Sequence, residues 1–495
     1  MAGFHIEHFG CRAARADGEA MAGNLRALHA REPLAADVVI VNTCSVTAEA
    51  DRAARAFIRR AHRKNPAAKI VVTGCYAQRA SEELAAMAGV TAVVGNSHRA
   101  LVPEIILGLT RGEELTYGAE RMTSAASPVP ICERPGAPAV VPVASLLAPG
   151  GSSAPIWADD RFAHSFIEDV HWGEMQHGAG AQTRPNLKIQ EGCSNRCSFC
   201  VIPWTRGASR SLPAASVFKQ VEGFVAAGGV ELVLSGINLG RWGRDFSPLP
   251  DGSPANLATL VRHIFERTEL PRLRLSSIEP MDWDEELIEL MAEFGGTRLA
   301  RHAHLPLQSG SDAVLHRMHR RYRPWHYAEK VDALLQATGP ELTLGADVMV
   351  GFPGETDAEF EETVAFIRAL PFGYLHLFPF SPRPGTRAWA LHSADPVAAG
   401  AVAERMARLR TLAAEKTVEH RRQFVGRELE ALTLNTPENI RRLGRTVGLT
   451  ENFLPFEVDG ELRANQRVSI EVTGVTAEGA LTHSRSSSTA SCAAD

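Results

Sequence analysis

The sequence predicts an α/β chain in three parts: a small parallel α/β domain, a larger partial β/α barrel, and a small antiparallel β-barrel at the carboxy end. Three observations carry this. Short apolar runs that stop at Gly or a turn residue alternate with helical stretches over residues 1–118. The same alternation returns six times over 184–393, as a parallel sheet curled into a barrel requires. Short alternating runs with glycine turns then fill 423–482.

In the first domain the strand candidates are HIEHFG (5–10), DVVIVN (37–42), KIVVTG (69–74) and VTAVVGN (90–96), with a helix over 48–64 whose outer face is basic. Residues 119–183 change character. The stretch 127–155 is rich in Pro, Gly, Ser and Ala and has no sustained period, which reads as a linker or insertion. The barrel, with its following helix, spans 184–422. Its strand candidates are 187–192, 231–236, 272–277, 301–307, 342–352 and 374–380, with helices over 213–227, 254–267, 284–294, 325–337 and 357–369 between them. One long charged helix covers 395–422, strands are expected at 428–434, 453–458 and 466–475, and the tail 483–495 has the small polar composition of a disordered segment.

Composition excludes several classes. Of 495 residues 45% are hydrophobic and 22% charged, and no apolar run reaches the ~18 residues of a membrane helix. The amino terminus lacks the basic-then-apolar order of a signal peptide, so a cytoplasmic protein without membrane contact is expected. The net charge is −5, and only six of 52 basic residues are lysine; an arginine excess of that kind says little about partners. Eight cysteines are too few for a disulfide scaffold in so long a chain. Cys132, in the insertion, and Cys492, in the tail, read as incidental thiols.

The other six cysteines form two groups. CSNRCSFC sets Cys193, Cys197 and Cys200 in a C-x3-C-x2-C array just after the first barrel strand. Three soft thiolates on one loop suit three irons of a [4Fe–4S] cluster and leave the fourth open to a substrate group. Zinc competes, but zinc motifs pair two C-x2-C or C-x2-H units, and only the remote His302-Ala303-His304 stretch offers a partner. Cys11, Cys44 and Cys75 each follow the carboxyl end of a predicted strand, separated by 33 and 31 residues. Neighbouring parallel strands would gather all three at one sheet edge, with ordinary buried cysteines as the alternative.

The C-x3-C-x2-C array after a first barrel strand resembles the radical S-adenosylmethionine (SAM) enzymes, and the three parts together resemble the methylthiotransferases. NTCSVT (42–47), TGCYAQ (73–78), KIQEGCSNRCSFCVIPWTRG (188–207), HLPLQSGSD (304–312), GFPGET (351–356) and SPRPGT (381–386) are similar to that family's motifs. The final barrel resembles a TRAM domain, an RNA-binding module, with GLTENF (448–453) as its match. The chain departs from the family after Cys11, where RAARADGEAM lacks the usual asparagine, and in the length of its insertion.

The resemblance implies two [4Fe–4S] clusters, one on Cys11, Cys44 and Cys75 and one on Cys193, Cys197 and Cys200, with SAM as both methyl donor and radical source. SGINLGRWGRD (235–245) resembles the branch that methylthiolates carbon 2 of N6-threonylcarbamoyladenosine beside the tRNA anticodon. The alternatives are isopentenyladenosine in tRNA, an aspartate of a ribosomal protein, and a non-catalytic, metal-stabilised RNA-binding protein. Candidate SAM-binding residues at barrel strand ends are Gly236, Ser276, Ser277, Glu279, Gln308 and Gly351, each with a turn or capping role as the alternative; no catalytic side chain is assigned. tRNA and an external electron donor are the expected partners of a monomer. HRMHRRYRPWH (316–326) and Arg421-Arg422 are candidate RNA contacts, and Trp204 and Arg206 could face the substrate.

Overall fold

The computed structural model describes residues 3–10, 12–27, 37–111, 154–160, 162, 167–170, 172, 183–248, 252, 255–476 and 480–482. Cys11, Cys132 and Cys492, most of the insertion and the tail expected to be disordered lie outside these residues. The chain divides into two compact units, one of residues 1–9, 25–45 and 49–165 and one of residues 10–24, 46–48 and 166–495.

In the first unit, β1 (Phe4–His8), β2 (Val38–Thr43), β3 (Lys69–Gly74), β4 (Val90–Gly95) and β5 (Ile156–Trp157) form one parallel sheet in sequence order. The amphipathic helix Ala48–Lys64 lays Ala54 and Ile58 onto a core with Val41, Ile70, Val72 and Tyr76. Four strands follow their apolar runs. The fifth corrects the reading of 119–183 as linker throughout, since Ile156–Trp157 pairs with Val93 and Val94. Two residues are too few to show a period. The segment is held instead by single bonds, from Val93 N to Pro155 O (3.0 Å), from Asp159 N to Ser97 Oγ (3.0 Å) and from Gln78 Nε2 to Asp159 O (2.6 Å).

The second unit contains the barrel. Its parallel strands are β6 (Asn186–Glu191), β8 (Glu231–Gly236), β9 (Arg272–Leu275), β10 (His302–His304), β11 (Thr343–Val350) and β12 (Phe372–Pro379), and the two-residue β7 (Arg210–Ser211) caps one edge antiparallel to β6. The hydrogen-bonded sheets β7-β6-β8-β9 and β10-β11-β12 meet where Ala300 N reaches Leu273 O (2.9 Å) and Ile278 N reaches His304 O (3.0 Å). Six strands in one curved wall agree with the six expected. Helix starts follow ordinary capping chemistry: Asn256 accepts from Thr259 N, Asp284 accepts from Leu287 N, and Thr356 and Glu359 form a capping box.

Alternation along these strands sorts the side chains by face. Leu187, Ile189, Leu232, Leu234, Leu273, Leu275, Leu344, Ala346 and Val348 join the helices in one large apolar core. The opposite face carries Lys188, Gln190, Glu231, Ser235, Arg272, Arg274, Ser276, His302, His304, Asp347, Tyr374 and His376. The barrel therefore encloses a polar lumen.

The carboxy-terminal barrel closes in the order β13 (Glu428–Thr433), β14 (Arg445–Thr450), β15 (Pro455–Asp459), β17 (Ala480–Thr482), β16 (Arg467–Val475). It is antiparallel except between β15 and β17, which run parallel, and it has two strands that the sequence patterns did not mark. Closure sets the last strand beside β15, a pairing that local periodicity cannot encode. GLTENF is not a free surface loop. Thr450, Glu451 and Asn452 are buried against the lumen's amino-terminal end. There Arg274 Nη2 donates to the carbonyls of Thr450 (3.3 Å) and Glu451 (3.0 Å), Arg301 Nη2 pairs with Glu451 Oε1 (2.6 Å), and the Phe453 ring lies 4.3 Å from His302 and 5.3 Å from Tyr374.

Glu231, fully buried, holds this floor together. Burial pushes its carboxyl up, but Arg274 at 2.7 Å, with Arg184 and Arg272, outweighs burial and sets it at about 2 against an ordinary 4.5. Replacing Glu231 with Gln removes the anion shared by the buried Arg272 and Arg274 and the half-buried Arg184, and should cost about 3–5 kcal/mol in urea denaturation at neutral pH. The pair's stabilisation is complete above pH 4.5 and is lost as pH falls toward 2, so the difference between wild type and variant should close over that window. A difference that persists unchanged to pH 2 would assign the stability elsewhere.

Candidate active site

The cysteine loop begins where β6 ends. Gly192 turns the chain at φ +71°, and a Cβ there would lie 2.0 Å from Ala208 O, so only glycine fits. Backbone bonds fix the loop at both ends: Cys193 N to Gly207 O (3.1 Å), Ser198 N to Met318 O (3.0 Å) and Ala388 N to Ser198 O (2.9 Å). Donors face the sulfurs. Cys193 Sγ accepts from Asn195 N at 3.4 Å and from Asn238 Nδ2 at 3.7 Å, and Cys197 Sγ accepts from Arg320 Nη1 at 3.3 Å. Burial pushes the Cys193 thiol up and the Cys200 thiol up to about 12, so thiolates here call for a cation.

Three thiols on one rigid loop, with N–H donors around them, fit the soft ligand set of an iron–sulfur cluster. Among the described residues, only His304, Asp347 and His376 bring three ligand atoms within 4.8 Å of one another.

Charged side chains beneath the loop are internally paired. Arg206, fully buried, bonds Glu191 (2.8 Å) and Asp17 (2.9 Å), and Lys188 bonds Glu191 (2.6 Å) and Asp17. Arg206 is thus a structural cation and does not face a substrate, whereas Trp204 is exposed. In the stretch 316–326, Arg317 pairs with Glu359 (2.7 Å), Arg320 pairs with Glu279, and the Tyr322 hydroxyl lies 2.7 Å from Pro306 O and from Leu307 O, while His316, His319, Arg321 and Trp325 are exposed. Tyr322 is buried and so not available to stack a base, whereas Trp325 is exposed. Arg421 donates to Thr476 O (3.2 Å), and Arg422 is exposed.

The six residues expected to contact SAM separate into two kinds. Ser276 and Gln308 are buried and carry side-chain oxygens without a hydrogen-bond partner, as do Ser235 and Asn238 nearby in the sequence. Orphaned polar atoms at the ends of β8, β9 and β10 fit a polar ligand. Gln308 also has φ +63°, and its backbone is pinned by a bond from its own N to Asp347 O (2.7 Å). Ser277 is half-buried, and Glu279 is held by Arg320. Gly236 and Gly351 have packing reasons of their own. A Cβ at Gly236 would meet the Gln190 side chain at 2.9 Å, and one at Gly351 (φ +76°) would meet Val402 at 2.5 Å.

The lumen also holds a connected set of which sequence reading singled out only His302 and His304, as remote zinc ligands. His304 Nε2 and His376 Nδ1 each lie 3.2 Å from an oxygen of Asp347, and the Tyr374 hydroxyl bridges His302 Nε2 (2.8 Å) and His304 Nδ1 (2.9 Å). Burial pushes the Asp347 carboxyl up, but the two histidines outweigh this and hold it well below the ordinary range. The polar positions of HAHL, GADV and YLHLF were the available signal, since alternation in a buried strand marks a polar interior.

In the first unit, Cys44 and Cys75 each lie one residue beyond a strand, and the register pairs Thr43 with Gly74 beside them. Both are buried. Asn96, just past β4, donates to Cys75 Sγ at 3.4 Å and is itself held by Arg99 Nη1 at 3.3 Å. Gly74, at φ +99°, makes the turn into Cys75, where a Cβ would lie 2.3 Å from Thr43 O.

Residues 3–95 match the uncharacterized protein family UPF0004, and residues 187–367 match the radical SAM superfamily. The chain is similar to threonylcarbamoyladenosine tRNA methylthiotransferase MtaB of Bacillus subtilis (strain 168), with 35% identity over 86% of this chain and 82% of that protein. It is 33% identical to MtaB of Aquifex aeolicus (strain VF5), over 88% and 90%. It is also 32% identical to the tRNA-2-methylthio-N(6)-dimethylallyladenosine synthase of Parafrankia sp. (strain EAN1pec), over 86% and 77%.

Arg320 joins Cys197 to Glu279, so Arg320→Lys, which keeps the charge and loses the planar fork, should lower cluster loading or SAM cleavage about 10–100-fold. Iron content and 5′-deoxyadenosine formation measure the two effects. Wild-type values for both would make Arg320 a packing residue only.

Proposed function

The chain belongs to the radical SAM methylthiotransferases, and from that membership we propose that it transfers a methylthio group to carbon 2 of N6-threonylcarbamoyladenosine in tRNA. The observation that carries the reading is the Cys193/Cys197/Cys200 trio on the loop that follows the carboxyl end of β6, beside a polar lumen. SGINLGRWGRD and the two MtaB relatives favour the threonylcarbamoyl substrate, while the Parafrankia relative keeps the dimethylallyl substrate as the competing assignment.

When bound, a [4Fe–4S] cluster on Cys193, Cys197 and Cys200 supplies the site and the electron for SAM cleavage, and a second on Cys11, Cys44 and Cys75 carries the sulfur to be methylated and transferred. The chain's own groups prepare these sites. Asn195 N, Asn238 and Arg320 direct N–H donors at thiolate sulfur, which lowers the cost of holding negative charge in a buried loop. Ser276 Oγ and Gln308 Oε1 are the acceptors proposed to meet SAM's ribose hydroxyls or ammonium group. Asn96 serves Cys75 as Asn238 serves Cys193. The lumen wall, closed at its floor by Phe453 and the Glu231–Arg274 pair, excludes water around the reacting base. The five-stranded carboxy-terminal barrel is a scaffold type used for oligonucleotides, and it is assigned the tRNA. An external reductant supplies the electron.

Nucleoside mass spectrometry of tRNA from strains with and without the gene tests the substrate. Loss of 2-methylthio-N6-threonylcarbamoyladenosine on deletion is expected; loss of the dimethylallyl derivative alone would move the enzyme to the other branch. Replacing Cys197 with Ala should abolish 5′-deoxyadenosine formation. Replacing Cys44 with Ala should spare cleavage and stop methylthio transfer. Equal loss of both activities in a folded Cys44 variant would contradict this division of labour.

A further inference from the structure

We propose that His304, Asp347 and His376 form a binding site for one divalent first-row metal ion inside the lumen, separate from both cysteine sets. The three residues stand on adjacent parallel strands in register: His304 pairs with Gly345, two residues before Asp347, and Asp347 pairs with His376. Their ligand atoms all lie within 4.8 Å of one another, a spread one ion can span. Two imidazoles and a carboxylate suit iron(II), manganese(II) or zinc, and three protein ligands leave coordination positions open.

Two further observations distinguish this cluster from a plain hydrogen-bonded network. His304 is buried, and its Nε2, 3.2 Å from Asp347 Oδ2, is one of the three ligand atoms that lie within 4.8 Å of one another. The other ring nitrogen, Nδ1, is 2.9 Å from the Tyr374 hydroxyl, which His302 holds in turn. A metal-bound histidine normally has its second nitrogen fixed by such a partner, which sets the tautomer and the ring plane. His376 is more than half exposed and Asp347 about a quarter, so the open positions face the accessible part of the lumen. An anionic oxygen of a substrate can occupy them.

The test uses the full chain with both cluster sites reconstituted, so that the cysteines are already occupied. Manganese(II) is titrated anaerobically, and the free ion is followed by its six-line EPR signal. One ion per chain should be taken up and released by added zinc, which binds nitrogen and oxygen ligands more tightly. His376→Ala and Asp347→Asn should each weaken uptake at least about tenfold, and Tyr374→Phe about 10–100-fold, as loss of an orienting partner does. Cluster absorbance and circular dichroism should stay at wild-type values, which separates failure here from failure of the cluster assignment. No uptake, or uptake indifferent to both ligand substitutions, overturns the site and leaves a hydrogen-bonded relay.

Discussion

Polar side chains pointing into the barrel are the constraint on which the second unit depends. A strand with one apolar and one polar face can bury both only if every inward charge finds a partner. Here the pairings form layers: Glu231 with its arginines at the floor, His304 and Asp347 in the wall, and Lys188, Arg206, Asp17 and Glu191 under the cysteine loop. Each layer fixes the one above it. The loop that carries three thiols is held by backbone bonds at both of its ends.

The groups left without protein partners are therefore informative. Ser276 Oγ, Gln308 Oε1 and Asn238 Oδ1 are among the buried side-chain atoms without a hydrogen-bond partner. They sit at strand ends, where parallel α/β sheets take ligands. A lumen wall of fixed dipoles beside a cysteine loop is the setting in which reactive species are kept from water.

Much of this was legible in the sequence because parallel strands announce themselves by apolar runs and turn residues. All six barrel strands and four strands of the first unit were readable, and so was the cysteine spacing. The failures share a cause. β5, β14 and β17 are short or are specified by partners far along the chain, so their local pattern is weak. Arg206 and Tyr322 looked like substrate and RNA contacts because composition cannot show that an arginine faces Asp17 or that a tyrosine hydroxyl is bonded inside the barrel.

The central claim is that the chain holds two cubane sites on three cysteines each. Iron and sulfide analysis with Mössbauer spectroscopy, on protein reconstituted without oxygen, addresses it directly. About eight irons per chain, all in [4Fe–4S] form, is the expected result. About four irons, with Cys11, Cys44 and Cys75 still reactive to alkylation, would contradict it.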